Sequence, residues 1–494
     1  MTPSASLPAL RAAYDRCVAY AERTRDAGID THLSDFWREI LGARVNYPSF
    51  DDMLVMRRGF TYPIADRAKA EDLEAERAYA RAAWDVVGRT VPETYFHRFD
   101  ESAVGAPTSF SFAGRALTAG GIVNALTSYR ILAATERLGL AGRSLRVLEI
   151  GAGYGQVAHQ LLQQLDIASY VVCDLPENAF LTAFYLQANH PARTATFVPD
   201  SGAADDAPAG LVFTIPPYLH ELEGEFDVII NSYSFQEMRL DSVREYVAFA
   251  AERLSPAGFV YSLNAHAKAG VERPSGYDIE CFELETLACP RRYPWQPNGT
   301  VPYELVMRPR AAPALSGERL ARRRDQLDGL GGAMQLGLSD ELAPLLERFV
   351  DGEEGAADAG LDALASAFRG DTDQRRRAVE RVGGSVGTYL AGVLAFVAGD
   401  DVVARPVLRS ALDSLPDTHA RVWALTVLAS LVSAAGEHRE ATAYASQAAR
   451  IAPHLAGDVA RLVGAPDTAR AMLASRAGCA PPSAQRSDRK PPTE

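Results

Sequence analysis

The stretch LRVLEIGAGYGQVAHQLLQQ, residues 145–164, runs from an apolar segment into a helical pattern through three alternate glycines, Gly151, Gly153 and Gly155. A short apolar run that ends on glycine and leads into three-and-four spacing reads as a buried strand followed by a helix. The rhythm continues. YVVCDL, ATFVP, FDVIINS and GFVYSLN are further strand-like runs, and helical segments follow LRVLEI, YVVCDL and FDVIINS. Strands alternating with helices imply an α/β chain with a parallel sheet covered on both faces. YELVMRP is expected to add a final, antiparallel strand.

The residues around the glycines limit what the turn can hold. A dinucleotide-binding turn reads G-x-G-x-x-G, but Gln156 occupies its third glycine position, and Glu149 stands two residues before Gly151. Phosphate is held by amide donors at a helix N-terminus and has no use for a carboxylate. A ligand with a cationic or hydrogen-bond-donating end does. S-adenosylmethionine has an α-ammonium group and ribose hydroxyls and carries no phosphate. Asp174, at the end of YVVCDL, places a second carboxylate where the next strand reaches the ribose. The glycines are expected to let the ligand lie against the turn, where a side chain would collide.

EIGAGYGQVA, DLPENAFLTAFYLQ, FDVIINSYSFQEM and ESAVGAPTSFSF together resemble the class I S-adenosylmethionine-dependent methyltransferases, and more narrowly the sugar O-methyltransferase family. In ESAVGAPTSFSF, Ala106 stands where that family has asparagine. The resemblance runs from about residue 30 to residue 308 and implies a Rossmann-like domain. It implies methyl transfer to a hydroxyl of a sugar or glycosylated natural product. Glu149, Gly151, Ala152, Gly153, Gly155, Asp174, Leu175, Asn231 and Ser232 would hold the cofactor, with Ile215 and Pro216 against its adenine. Tyr233, Ser234, Gln236 and Asn264 would orient the substrate. In this fold the reacting end faces the carboxyl ends of the fourth and fifth strands, which makes Glu237 and His266 the candidate bases. Glu237 reads equally as an acidic residue at the start of a helix near Arg239, and His266 as a loop histidine. His220 and His97 are further candidates, and His159 reads as packing. No Asp, Glu or His cluster has metal-ligand spacing.

The rest of the chain divides by composition. Residues 1–100 are expected to form a helical cap with Trp37, Tyr47, Phe60 and Tyr62, aromatics that suit a sugar face or a simple core. Residues 101–310 are expected from the resemblance to form the methyltransferase domain, 311–340 a linker, 341–475 a tetratricopeptide-like helical region and 476–494 a disordered tail. Gly399 precedes Pro416 by the interval at which Gly436 precedes Pro453, and Leu425, Leu428, Ala441 and Ala448 occupy repeat marker positions. The repeats are the expected surface for a homodimer or a protein partner. A net charge of −13 excludes the dominant basic surface that nucleic acid or anionic membrane requires. The runs Arg322–Arg324 and Arg375–Arg377 read as solvated helix or linker. Five scattered cysteines without a C-x-x-C pair imply reduced thiols and a cytoplasmic protein. Two other readings remain open: an N- or C-methyltransferase of another small molecule, and an interaction protein with a vestigial methyltransferase domain.

Overall fold

Residue alternation along the strands decides how the layers form. In the computed structural model, the strand Leu145–Ile150 sends Val147 into one core and Leu148 and Ile150 into the other. The neighbouring strand Ile167–Cys173 does the same, with Tyr170 and Val172 on one side and Val171 and Cys173 on the other. Both faces are therefore apolar, as a parallel sheet requires. The structure describes residues 6–24, 34, 37–38, 48–57, 73–199, 210–265, 274–288, 302–311, 315–339, 341–351, 358–369, 372–452 and 455–477. Tyr47, Phe60, Tyr62 and His266 lie outside them, as does the expected tail from residue 478 onward.

A small hairpin, β1 (Phe110–Phe112) and β2 (Arg115–Leu117), precedes the main sheet. The main sheet comprises β3 (Leu145–Ile150), β4 (Ile167–Cys173), β5 (Thr194–Phe197), β6 (Gly210–Thr214), β7 (Phe226–Ser232), β8 (Leu254–Ala265), β9 (Phe282–Ala288) and β10 (Pro302–Pro309). Its order is β5-β6-β4-β3-β7-β8-β10-β9. The pairs from β5 to β8 are all parallel, and β10 runs antiparallel between β8 and β9. This mostly parallel, helix-covered sheet is the α/β arrangement that the alternation of strands and helices implied. β6 and β9 are not among the strands read from the sequence. GLVFT in β6 is buried at every position and so shows no alternation to count.

One face is covered by the helices Ala119–Arg137, Gln156–Leu162 and Pro176–Asn189, with Leu7–Thr24 packed outside them. Tyr20 of that outer helix meets Phe197 with ring centroids 4.8 Å apart, and Arg16 donates to Gln187 at 2.7 Å. This helix therefore belongs to the covering layer.

The other face is covered by Leu240–Arg253 and by the C-terminal helices, which share one continuous core with the sheet. The stretch read as a linker is the helix Gly317–Gln335, most of it buried. Its glycines allow close approach instead of breaking the chain. A Cβ on Gly329 would stand 2.6 Å from the Ala365 backbone nitrogen, so this helix crosses Ala359–Arg369 almost backbone to backbone. The run Arg322–Arg324 is solvated only in part: Arg323 is buried, and Arg324 pairs with Asp278 at 2.8 Å.

Further on, Gly384–Val397 with Asp401–Leu412 and His419–Ala434 with His438–Ile451 form two successive helical pairs. Gly399 and Gly436 follow the first helix of each pair at φ +84° and +81°, the left-handed conformation that ends helices. The two glycines thus occupy corresponding turns, and Pro453 lies outside the described residues. No helix among the described residues is long and apolar enough to cross a membrane.

Gly329→Val would force a branched side chain into the Ala365 backbone. It is expected to cost about 1–3 kcal/mol, read as a lower urea midpoint in equilibrium unfolding.

Candidate active site

The chain passes from β3 to β4 on one side and later returns to place β7 on the other. The loops leaving β3 and β7 therefore diverge, and a crevice opens at the carboxyl ends of the strands. A cavity of about 490 Å³ fills that crevice. Its walls are the glycine turn with Glu149, Asp174, Leu175 and Asn178 just after β4, Pro216, and the residues Ser232, Tyr233, Ser234, Glu237 and Met238. Trp37 and Asn124 close it from the N-terminal side, and Ser242 and Tyr246 from the helix after β7.

The turn is built by glycine in each of its three alternate positions, with φ of +76° at Gly151, +62° at Gly153 and +91° at Gly155. Two of the three are demanded by the protein itself. A Cβ on Gly151 would lie 2.1 Å from the Ser234 hydroxyl oxygen, and one on Gly155 would lie 2.9 Å from a methyl of Thr182. This refines the expectation that the glycines clear space for a ligand. Gly153 is pinned between neighbours: its N–H donates to Asp174 at 2.9 Å, and its carbonyl accepts from Thr182 at 2.5 Å.

Two carboxylates are buried beside this turn. Glu149 is 2% exposed and accepts a hydrogen bond from the Tyr170 hydroxyl at 2.7 Å. Asp174 is 6% exposed and accepts from the Leu175 N–H at 2.7 Å, from Asn178 at 3.0 Å and from Gly153. Among the described residues, no Arg, Lys or His forms an ion pair with either. Burial pushes Glu149 up to about 7, against the lowering effect of the Tyr170 hydrogen bond. Burial likewise pushes Asp174 up to about 7, against its three donors. Desolvation wins because dipoles stabilise a buried carboxylate less than water does.

The remaining expected site residues separate into wall and support. Asn231 donates to the Ile150 carbonyl at 2.9 Å and to Ser234 at 2.5 Å, and accepts from the Phe235 N–H at 3.2 Å and from Asn264 at 2.8 Å. Asn264 also donates to Ser262 at 2.9 Å. Neither asparagine lies on the cavity wall: their polar atoms tie the ends of β3, β7 and β8 together. Ser234 does line the cavity, but its hydroxyl is engaged by Asn231 and the Ile150 carbonyl. Ile215 is fully buried behind Pro216, and Gln236 stands off the wall.

Tyr233 lines the cavity at φ +58° and is held there by its N–H on the Leu263 carbonyl at 2.7 Å. A bulky residue at positive φ costs about 1–3 kcal/mol and persists only where the surroundings impose it.

Glu237 is on the wall, in the short turn Phe235–Glu237. The next helix starts at Leu240 with Arg239 as its cap, and Asp241 is the acid of its first turn. The helix-stabilising role read for Glu237 therefore falls to Asp241. His220 is exposed and pairs with Glu245 at 3.2 Å, and His97 is exposed away from the cavity. His159 is buried against His190, with ring nitrogens 3.0 Å apart, and burial lowers it to about 4.

Sequence reasoning did not single out Asn124, Tyr154, Ser242 and Tyr246. Tyr154 sits inside the quoted turn and was open to notice, whereas the others reach the cavity only through helix packing.

No family model matches the sequence, and no curated protein is detectably similar to it. Solved structures overlap it in part. The mitomycin 7-O-methyltransferase is 11% identical at a TM-score of 0.26, over 39% of this chain and 57% of that one. Magnesium protoporphyrin IX methyltransferase from Synechocystis PCC 6803 is 12% identical at 0.27, over 47% and 97%. A pyocyanin biosynthetic protein is 14% identical at 0.27, over 49% and 75%. The chain thus spans just over half of the mitomycin enzyme.

A raised native pKa adds stability that is complete below the unfolded value and is lost as pH rises through the native one. For Glu149 and Asp174 that window runs from the ordinary carboxylate range to about 7. Glu149→Gln is expected to be more stable than the parent at pH 8 by on the order of 1–3 kcal/mol. The advantage should vanish at pH 4, as measured by urea unfolding at both values.

Proposed function

We propose that this chain is an S-adenosylmethionine-dependent O-methyltransferase acting on a hydroxyl of a sugar or glycosylated small molecule. One observation carries the reading. Two buried carboxylates, Glu149 and Asp174, face a glycine turn with no ion-pair partner among the described residues. A buried charge without a counter-ion is costly, so the site is built to receive a cation or several hydroxyl donors. The cofactor's ammonium and ribose groups fit that donor set; a phosphate would meet two negative charges. The resemblance of EIGAGYG, DLPE and SFQEM to the sugar O-methyltransferases supplies the acceptor class.

When bound, the cofactor supplies a methyl group on a sulfonium, open to in-line attack. Burial raises both Glu149 and Asp174, and a cation or hydroxyl donors placed beside them would favour their ionised forms. Pro216 and Leu175 add apolar surface beside them. Asn231 and Asn264 act from behind the wall and hold the end of β7 in register. Holding the acceptor in line with the methyl group would supply much of the rate in a displacement. A sugar hydroxyl also needs its proton removed. Glu237 stands on the wall to accept it, and His266 is the second candidate base.

Calorimetry at pH 7 tests the cofactor. S-adenosylmethionine is expected to bind with release of protons, seen as different apparent heats in phosphate and Tris buffers. The release should disappear at pH 9, and NAD and ATP should not bind. Binding without proton release would remove the assigned role of the two carboxylates.

Glu237→Gln and His266→Asn test the base. The variant lacking it should turn over about 10²–10⁴-fold more slowly with near-parental cofactor affinity. Methyl incorporation into glycosides, compared with amines, decides the acceptor atom.

A further inference from the structure

Arg57 and Glu101 lie outside every role assigned so far, yet both side chains are buried, at 4% and 6% exposed, and they pair at 2.7 Å. Each is held from several sides. Arg57 donates to the Ser102 carbonyl at 2.9 Å and stands 5.5 Å and 5.2 Å from the ring centroids of Tyr154 and Tyr185. Glu101 accepts from the Thr118 N–H at 3.2 Å and hydroxyl at 3.0 Å, and from Gln156 at 3.3 Å. Gln156 in turn accepts from the Tyr185 hydroxyl at 2.9 Å. Arg57 holds Glu101 below the ordinary carboxylate range despite its burial.

This answers why glutamine, and not a third dinucleotide-type glycine, follows Gly155. Gln156 opens the helix behind the glycine turn, and its amide reaches out to Glu101. Thr118 caps the helix Ala119–Arg137, which carries Asn124. Three parts of the cavity wall therefore converge on one ion pair: Tyr154 under Arg57, Gln156 on Glu101, and Asn124 through the Thr118 cap. A buried ion pair contributes little net stability compared with apolar residues of the same volume. Its worth lies in geometry, since its directional bonds fix a unique arrangement where apolar packing would tolerate several.

We propose that Arg57 and Glu101 are positioning residues that set the wall formed by Tyr154, Gln156 and Asn124, and through it the pose of whatever occupies the cavity. As a statement about cofactor and acceptor, this rests on the methyltransferase reading. As a statement about the wall, it stands alone.

The test uses Glu101→Gln and Arg57→Lys in the full chain, with the double variant Arg57→Met/Glu101→Met should the single changes fail to fold. Three quantities are measured: the Tm, the S-adenosylmethionine Kd and turnover of the folded protein, and amide hydrogen exchange across residues 151–157 without ligand. Positioning predicts at least tenfold faster exchange across that turn in Glu101→Gln and in the double variant. It also predicts at least tenfold lower kcat or weaker Kd at temperatures where the protein is fully folded, with smaller losses in Arg57→Lys. A lowered Tm with parental exchange, Kd and kcat would make the pair merely structural and overturn the proposal. If the parent does not bind S-adenosylmethionine, the methyltransferase reading fails, and the exchange measurement still decides this one.

Discussion

β3 pairs in parallel with β4 on one side and β7 on the other, and most of what is distinctive about this molecule depends on that placement. A central strand with neighbours on both sides must be apolar on both faces, so it needs two separate cores. It must also end where its neighbours' connections part. The first requirement recruits the N-terminal helices to one face and the C-terminal helices to the other. The second leaves the crevice in which Glu149 and Asp174 lie one strand apart.

The crevice is held open by polar side chains whose bonding is complete within the protein. Asn231 binds the last carbonyl of β3, the turn after β7 and Asn264 of β8. Such a network fixes strand ends more sharply than apolar contact does, because each member's bonds have direction as well as distance. The strained backbone of Tyr233 sits on this support. The two carboxylates differ from this network. They accept hydrogen bonds but have no ion-pair partner among the described residues, and desolvation raises both. This contrast between satisfied supports and unneutralised acids separates the support from the cavity wall more clearly than residue type does. Asparagine and glutamate look equally functional in a sequence.

The C-terminal helices show the same dependence on context. DGLGGAMQ is glycine-rich, and glycine in a helix interior costs about 1 kcal/mol per residue relative to alanine, which is why the stretch reads as a linker. Gly329 offsets that cost because its missing side chain lets two helices meet at backbone distance. That gain belongs to Ala365 as much as to Gly329, and no local window contains both.

Local signals in the chain therefore determined the strand–turn–helix unit at 145–164, its acid, the second acid at Asp174 and the antiparallel strand near the end. Each follows from periodicity, from glycine at positive φ or from a residue's place at the end of a run. The turns at Gly399 and Gly436 were legible for the same reason, since glycine is the residue that most readily takes the left-handed conformation between two helices. Only the tertiary structure decided that β6 slots between β5 and β4, that Asn231 and Asn264 support the wall without lining it, and that Arg57 meets Glu101. These pairings join residues far apart in the chain, and their free energy comes from burial and hydrogen-bond geometry that exist only once the layers have packed.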